Sequence, residues 1–193
     1  MTRLAMLRHA RTAWNIEGRL QGRADIGATE EALAALRGRK LPPPYDGWGW
    51  FASPLTRTCQ TAAALGIAAE PDPALIETHW GDYEGRTLTE LGALGDFTEN
   101  EARGLDFQPP NGESPRQVQQ RLRPWLAART AGGRDIGAVS HKGVIRAILA
   151  LAYDWPMLGK PPVKLDWSCL QVFRLEADGT PRPEQMNIPL VPR

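Results

Sequence analysis

Two cysteines in 193 residues, Cys59 and Cys169, are too few for a disulfide scaffold and are expected to be free and reduced. No apolar run approaches the ~20 residues of a membrane span, and no apolar segment follows a basic start as in a signal peptide. A cytoplasmic chain without a membrane partner is the expectation. Histidine is equally scarce. His9, His79 and His141 are the only three, and no two lie four apart as zinc ligands on one helix face would. No metal and no other cofactor is expected. Neither sign of charge is in excess: 23 Lys and Arg face 22 Asp and Glu, a net +1 that argues against a nucleic-acid partner. Three catalytic patterns are also missing. There is no Gly-rich lysine loop for nucleotide phosphates and no Gly-x-Ser-x-Gly elbow. The position six after each cysteine, where a cysteine-based phosphatase loop carries Arg, holds Leu65 or Leu175.

What the chain does have is a cationic start. Arg3, Arg8, Arg11, Arg19 and Arg23 fall within the first 23 residues against Glu17 as the one acid before Asp25, a bias that suits a small anionic ligand. The run from Thr2 to Leu7 reads as a buried strand and ends abruptly at Arg8-His9. Beyond it, strands and helices alternate. Thr29 caps a helix to about Arg37, and Pro42-Pro43-Pro44 follows its end. Trp48 to Ala52 reads as a strand. Ser53-Pro54 reads as a cap and first residue of a helix that Gly66 terminates. Thr87 to Glu90 is a capping box. Ser114-Pro115 opens a helix with a stripe of Val118, Leu122, Trp125 and Leu126, in which Pro124 is expected to kink or restart the helix. Ile136 to Ser140 is a strand, Lys142 to Ala152 a helix, and Leu170 to Leu175 a strand. The proline-rich tail makes a poor central strand. The alternation predicts one α/β domain over residues 1–193, with a mainly parallel sheet between two helical layers. The loop-like stretch 95–111 is a candidate small cap.

In such a sheet, ligands bind beyond the carboxyl ends of the strands. Arg8 and His9 follow the first strand, Arg57 sits in the first turn of the helix after the second, and His141 follows the strand ending at Ser140. Topology alone gathers two imidazoles and two guanidiniums at one edge, with helix N–H groups also favouring an anion beside Arg57. A guanidinium neutralises phosphoryl oxygens, and an imidazole can attack phosphorus.

These segments resemble the histidine phosphatase (phosphoglycerate mutase-like) superfamily in their order along the chain. Arg8-His9-Ala10 is similar to its Arg-His-Gly signature. Ser53-Pro54-Leu55-Thr56-Arg57 is similar to its second motif, and Ile76-Glu77-Thr78-His79-Trp80-Gly81-Asp82-Tyr83-Glu84-Gly85 to the segment carrying its acid. Gly112-Glu113-Ser114 resembles a helix start common in the family, and Ser140-His141-Lys142-Gly143 its last motif. The resemblance implies a three-layer α/β/α fold and a two-step, metal-independent mechanism. His9 takes the phosphoryl group. Arg8, Arg57 and His141 hold its oxygens with Asn15 as a neutral donor, and Glu77 serves as acid and then base, with Glu84 the alternative acid. Gln21 lies in Arg19-Leu20-Gln21-Gly22-Arg23-Ala24-Asp25, which resembles the phosphatase branch, and is a candidate substrate contact.

Two departures stand out: Ala10 replaces Gly, and Lys142 replaces the more usual Gly after the second His. Lys142 either meets substrate or points to solvent. Trp14 and Trp80 are candidates for the pocket wall, and His79 reads as a packing residue. The expected activity is hydrolysis of a small phosphate monoester. A phosphoglycerate mutase or a non-catalytic phosphate-binding module are the alternatives.

Overall fold

The computed structural model describes residues 1–95 and 97–193. In chain order the elements are β1 (Thr2–Arg8), α1 (Ala13–Ile16), α2 (Glu30–Arg37), β2 (Arg39–Lys40), β3 (Gly49–Ala52), α3 (Thr56–Leu65) and β4 (Ala69–Pro71). There follow α4 (Leu88–Gly92), α5 (Phe97–Glu101), α6 (Pro115–Thr130), β5 (Ile136–Ser140), α7 (Lys142–Ala152), β6 (Leu170–Leu175), β7 (Pro181–Ile188) and β8 (Val191–Pro192). The main sheet has six strands in the order β4-β3-β5-β1-β6-β7. The β4-β3-β5-β1 pairings are parallel, whereas β6 and β7 run antiparallel at one edge.

Alternation along β1 shows how the layers form. Leu4 and Met6 point into one cluster with Val118, Leu122 and Leu126 of α6 and Ile145, Ile148 and Leu149 of α7. Ala5 and Leu7 point the other way, against Ala62 and Leu65 of α3, with Leu36 of α2 packed on the same cluster. The sheet is therefore sandwiched between α6/α7 and α2/α3. β5, in the middle, is buried at every residue, as a strand covered on both faces must be.

Most predicted boundaries hold to within a residue or two, and several details differ for physical reasons. Thr29 accepts from Ala32 N, Thr87 and Glu90 form the capping box, and Gly66 closes α3 in the left-handed conformation. Ser53, however, does not cap α3. That helix starts three residues later, and the carboxylate of Asp25 accepts from Thr56 N and Thr56 Oγ1, so the anion at this helix end is the chain's own. Pro124 does not restart α6, which is one helix over Pro115–Thr130. Pro124 and Gln120, whose carbonyl loses its partner, both face solvent, while the apolar stripe stays buried. The tail forms β7 at the sheet edge, where a strand tolerates Pro183. β4 and α1 had no sequence signal.

Within 95–111, residue 96 lies outside the described residues. The rest forms α5 and a 3-10 turn at Gly104–Asp106, and Phe97 and Phe107 join Tyr83, Leu91, Leu20 and Trp80 in a small separate cluster. Trp80 thus belongs to that cluster. Among the described residues, no helix is long and apolar enough to cross a membrane.

Candidate active site

Register explains why residues far apart in sequence meet. β1 and β5 are adjacent and parallel, with Arg8 opposite Ser140, so the next residue of each strand, His9 and His141, must emerge side by side. Their ring centroids lie 5.2 Å apart. On the other side of β5, Ala52 pairs with Val139, which delivers Ser53 to the same edge. His9 N and Ser53 N continue the ladders by donating to the carbonyls of Ser140 and Val139.

The two histidines are held in opposite tautomers. His9 Nδ1 lies 2.7 Å from the Ala10 carbonyl, which can only accept, so Nδ1 carries the proton and Nε2 keeps a free lone pair when the ring is neutral. Burial, then the Arg8 charge, pushes the His9 pKa down to about 3. His9 is therefore neutral at pH 7, with Nε2 unprotonated. His141 is completely buried. Its Nδ1 accepts from Arg57 Nε at 3.3 Å, so its proton sits on Nε2, 2.7 Å from Ser53 Oγ. Burial and then the facing His9 and Arg57 hold its pKa well below the usual imidazole value.

Arg57 is the largest fully buried side chain. Besides His141, its guanidinium donates to the Ala24 and Gly22 carbonyls, each at 2.8 Å, leaving two of its five N–H groups for a ligand. Thr61 steadies the nucleophile loop, its Oγ1 accepting from Ala10 N and donating to the Arg57 carbonyl. Arg8 approaches within 5.6 Å of the Trp167 ring, and its buried Nε has no partner among the described residues. Desolvation lowers the pKa of both Arg8 and Arg57. Such cations gain most from a bound anion.

Glu77 enters from the loop after β4. Arg121 fixes that loop by donating to the Ala74 and Ile76 carbonyls while paired with Glu113, and Ser140 Oγ donates to Leu75 O. The Glu77 carboxyl accepts from Thr78 N at 2.8 Å and Gly143 N at 3.3 Å. Burial raises its pKa against these hydrogen bonds and the Arg57 and Arg8 charges. A Cβ at Gly143 would fall 2.4 Å from both Glu77 Oε1 and Thr78 Oγ1, so a side chain here would displace the carboxyl. Glu84, the alternative acid, is committed elsewhere: it accepts from the backbone N–H groups of Arg23, Ala24 and Trp80, tying the 22–24 turn in place. His79 is partly exposed, with Nε2 3.9 Å from Glu84.

Asn15 and Gln21 converge on Thr12. Asn15 Oδ1 accepts from Thr12 N, and Gln21 Oε1 from Thr12 Oγ1, which leaves each amide nitrogen as the donor to offer. Lys142, first residue of α7, extends to 5.7 Å from the same Trp167 ring that meets Arg8. Two residues of the site, Ser53 and Trp167, carry no functional signal in the sequence: Ser53 has the pattern of a helix cap, and Trp167 belongs to no motif. Trp14 lies against Gly85, where a Cβ would fall 3.3 Å from its ring. Among the described residues no group of three or more His, Cys, Asp or Glu side chains is placed to hold a metal ion.

The arrangement offers a neutral imidazole with a free lone pair, two desolvated guanidiniums, a second imidazole and a buried carboxyl, a set that can receive a tetrahedral oxyanion. Comparison with known proteins identifies the family. The family model described as histidine phosphatase superfamily (branch 1) matches residues 4–189. The chain is 32% identical to a glucosyl-3-phosphoglycerate phosphatase of Mycobacterium tuberculosis, over 81% of this chain and 80% of that one. It is 28% identical to a 2,3-bisphosphoglycerate-dependent phosphoglycerate mutase of Methylobacterium radiotolerans, over 92% and 91%. A native structure of a mycobacterial glucosyl-3-phosphoglycerate phosphatase matches with a TM-score of 0.75 at 26% identity, covering 98% of this chain and 100% of that one. A putative alpha-ribazole-5'-P phosphatase from Escherichia coli matches in fold, with a TM-score of 0.78 at 20% identity over 100% and 98%.

Proposed function

The chain belongs to the histidine phosphatase superfamily, and we propose that it is a phosphomonoesterase that hydrolyses a small phosphorylated metabolite through a phosphohistidine at His9. The observation that carries this reading is the His9 tautomer. With Nδ1–H donated to the Ala10 carbonyl, the Nε2 lone pair is the free face of a ring that burial keeps neutral.

In the first step Nε2 attacks phosphorus in line and the P–O bond to the leaving alcohol breaks. The acid form of Glu77, favoured by burial, gives its proton to the departing oxygen. Arg8 and the two open N–H groups of Arg57 meet the nonbridging oxygens, with the amide nitrogens of Asn15 and Gln21 as neutral donors. His141 joins them by taking at Nδ1 the proton of an ester that binds as its monoanion, as Arg57 Nε turns to the phosphoryl oxygens, and returns it to the phosphate that leaves; its neutral ring has already given its one N–H to Ser53. In the second step the Glu77 carboxylate takes a proton from water, whose oxygen attacks phosphorus. The P–N bond breaks, and inorganic phosphate leaves. The chain's own cations neutralise the transferring group, so turnover should survive EDTA.

Identity to the Methylobacterium mutase over most of the chain favours a second reading, return of the phosphoryl group to a phosphoglycerate instead of to water. The two separate in one assay. With 3-phosphoglycerate and 2,3-bisphosphoglycerate supplied together, the phosphatase reading expects inorganic phosphate to accumulate well ahead of 2-phosphoglycerate. Rapid isomerisation with little phosphate release would put the mutase first.

A further inference from the structure

Resting on the phosphatase reading, we propose that Lys142 and Trp167 form a leaving-group subsite, and that the substrate is a monoester whose alcohol carries its own anionic group, a carboxylate or a second phosphoryl.

The argument begins with charge. A phosphate monoester dianion brings two negative charges to the site. Three cations gather there: Arg8 and Arg57 around His9, and Lys142 next to His141. Among the described residues none of the three has a carboxylate within ion-pair distance. Nearby, by contrast, Arg121 is paired with Glu113, and Arg23 lies 3.5 Å from the same carboxylate. Glu77, the carboxyl beside them, enters the first step as the neutral acid, the form towards which burial shifts it. Arg146, one turn along α7 from Lys142, adds a like charge and lies over the Trp155 ring. One positive charge is therefore left over after the phosphoryl group has been met.

Trp167 gives that surplus a place. The Arg8 guanidinium carbon and the Lys142 ammonium lie 5.6 and 5.7 Å from the centre of its ring, so one aromatic surface attracts both cations. The ring packs on the main core. Its loop is pinned on both sides: Asp166 N donates to Asn187 Oδ1, and Gln171 Nε2 donates to the Asp166 carbonyl. Trp167 is thus a fixed wall. Lys142 stands on the first turn of α7, between His141 and the Gly143 N–H that holds Glu77. A group bonded to the oxygen that Glu77 protonates passes close to Lys142. Burial and the nearby Arg8 and Arg146 charges push the lysine pKa down, a strain that an incoming anion relieves.

The test compares 3-phosphoglycerate with glycerol 3-phosphate, which share a three-carbon skeleton and differ in a carboxylate against a hydroxymethyl group. Phosphate release is measured for the wild type, Lys142→Met, Lys142→Arg and Trp167→Leu. The wild type should favour the acid by about tenfold or more in kcat/KM, the scale of one charged hydrogen bond. Lys142→Met should collapse the ratio to near one, mainly through KM for the acid, and Lys142→Arg should largely keep it. Trp167→Leu should lower it with the fold intact by circular dichroism. Fructose 1,6-bisphosphate is the second-phosphoryl arm, and a larger Lys142 dependence there than for the acid would make the distal group a phosphoryl. A wild-type ratio near one for both anionic esters, or a ratio that Lys142→Met leaves alone, overturns the subsite while p-nitrophenyl phosphate turnover still upholds the phosphatase reading. If no ester turns over, that reading fails by itself, and calorimetric affinities of the same esters decide the subsite by the same ratios.

Discussion

Replacing Glu77 with Gln removes a proton donor without emptying its cavity. Glu77 is 7% exposed, and its carboxyl accepts two backbone N–H groups, from Thr78 and Gly143. The amide oxygen can keep one of them, while the amide nitrogen cannot accept the other. The folding cost should therefore be about one hydrogen bond, ~1–2 kcal/mol, readable as a modest shift in urea midpoint. The kinetic cost should be larger and selective. At the reference pKa of about 4.3, roughly 0.2% of a Glu is protonated at pH 7, and each unit of upward shift multiplies that fraction about tenfold. Burial supplies such a shift here. An alkyl phosphate needs the proton, because an alkoxide is a poor leaving group, whereas p-nitrophenolate leaves largely unaided. Glu77→Gln should slow phosphorylation of His9 by an alkyl ester about 10²–10⁴-fold and by p-nitrophenyl phosphate far less. Since Glu77 also acts as base in the second step, the comparison belongs in the pre-steady state, as the burst of alcohol or phenol release in rapid quench. Equal losses for both esters would refute the acid assignment. Glu84 makes a useful control. Its three backbone partners predict that Glu84→Gln lowers stability without discriminating between leaving groups.

Ser53→Ala should free His141 to exchange tautomers. The expected result is a drop of about 10–100-fold in kcat/KM, the value of one buried hydrogen bond to a group charged during turnover. Nitrogen NMR should show the His141 ring moving from one protonated Nε2 to a tautomer mixture, and an unchanged ring spectrum would reduce Ser53 to packing. The depressed His9 pKa also sets a pH dependence. Burial and the Arg8 charge push the native ring down to about 3, against about 6.5 for a free imidazole, so between these limits the unfolded chain binds more protons and stability falls as pH drops from about 6.5 towards 3. At 1.36 kcal/mol per unit the span is about 5 kcal/mol, and His141 adds in the same direction. Urea midpoints for the wild type and His9→Asn should converge as the pH is lowered from 7 to 4.5. Parallel curves would contradict the buried neutral ring.

How much of this was readable in the chain depends on whether the cause was local. Arg8, His9 and His141 were legible because each lies at or just beyond the end of an apolar strand, Arg57 because it opens the helix that follows one, and parallel strands in one sheet must end at the same edge. The layers were legible because alternation along β1 and the stripe on α6 are properties of single segments. Ser53 was misread because Ser-Pro before a helix has the pattern of a cap. Only the register of β3 against β5 turns its hydroxyl to His141. Asp25 capping α3 and Trp167 meeting Arg8 join segments 31 and 159 residues apart, and no local pattern announces either. Glu77 and Glu84 share one motif, and what tells them apart is which backbone N–H groups each accepts.

Turnover as proposed runs through a bond between His9 and phosphorus. Brief reaction with ³²P-labelled substrate, followed by an alkaline quench and peptide mapping, should place acid-labile, base-stable phosphate on the peptide containing His9. The label should vanish in His9→Asn and persist longer in Glu77→Gln, where the attacking water lacks its base. Acid-stable label on a serine, or undiminished turnover by His9→Asn, would contradict the central claim.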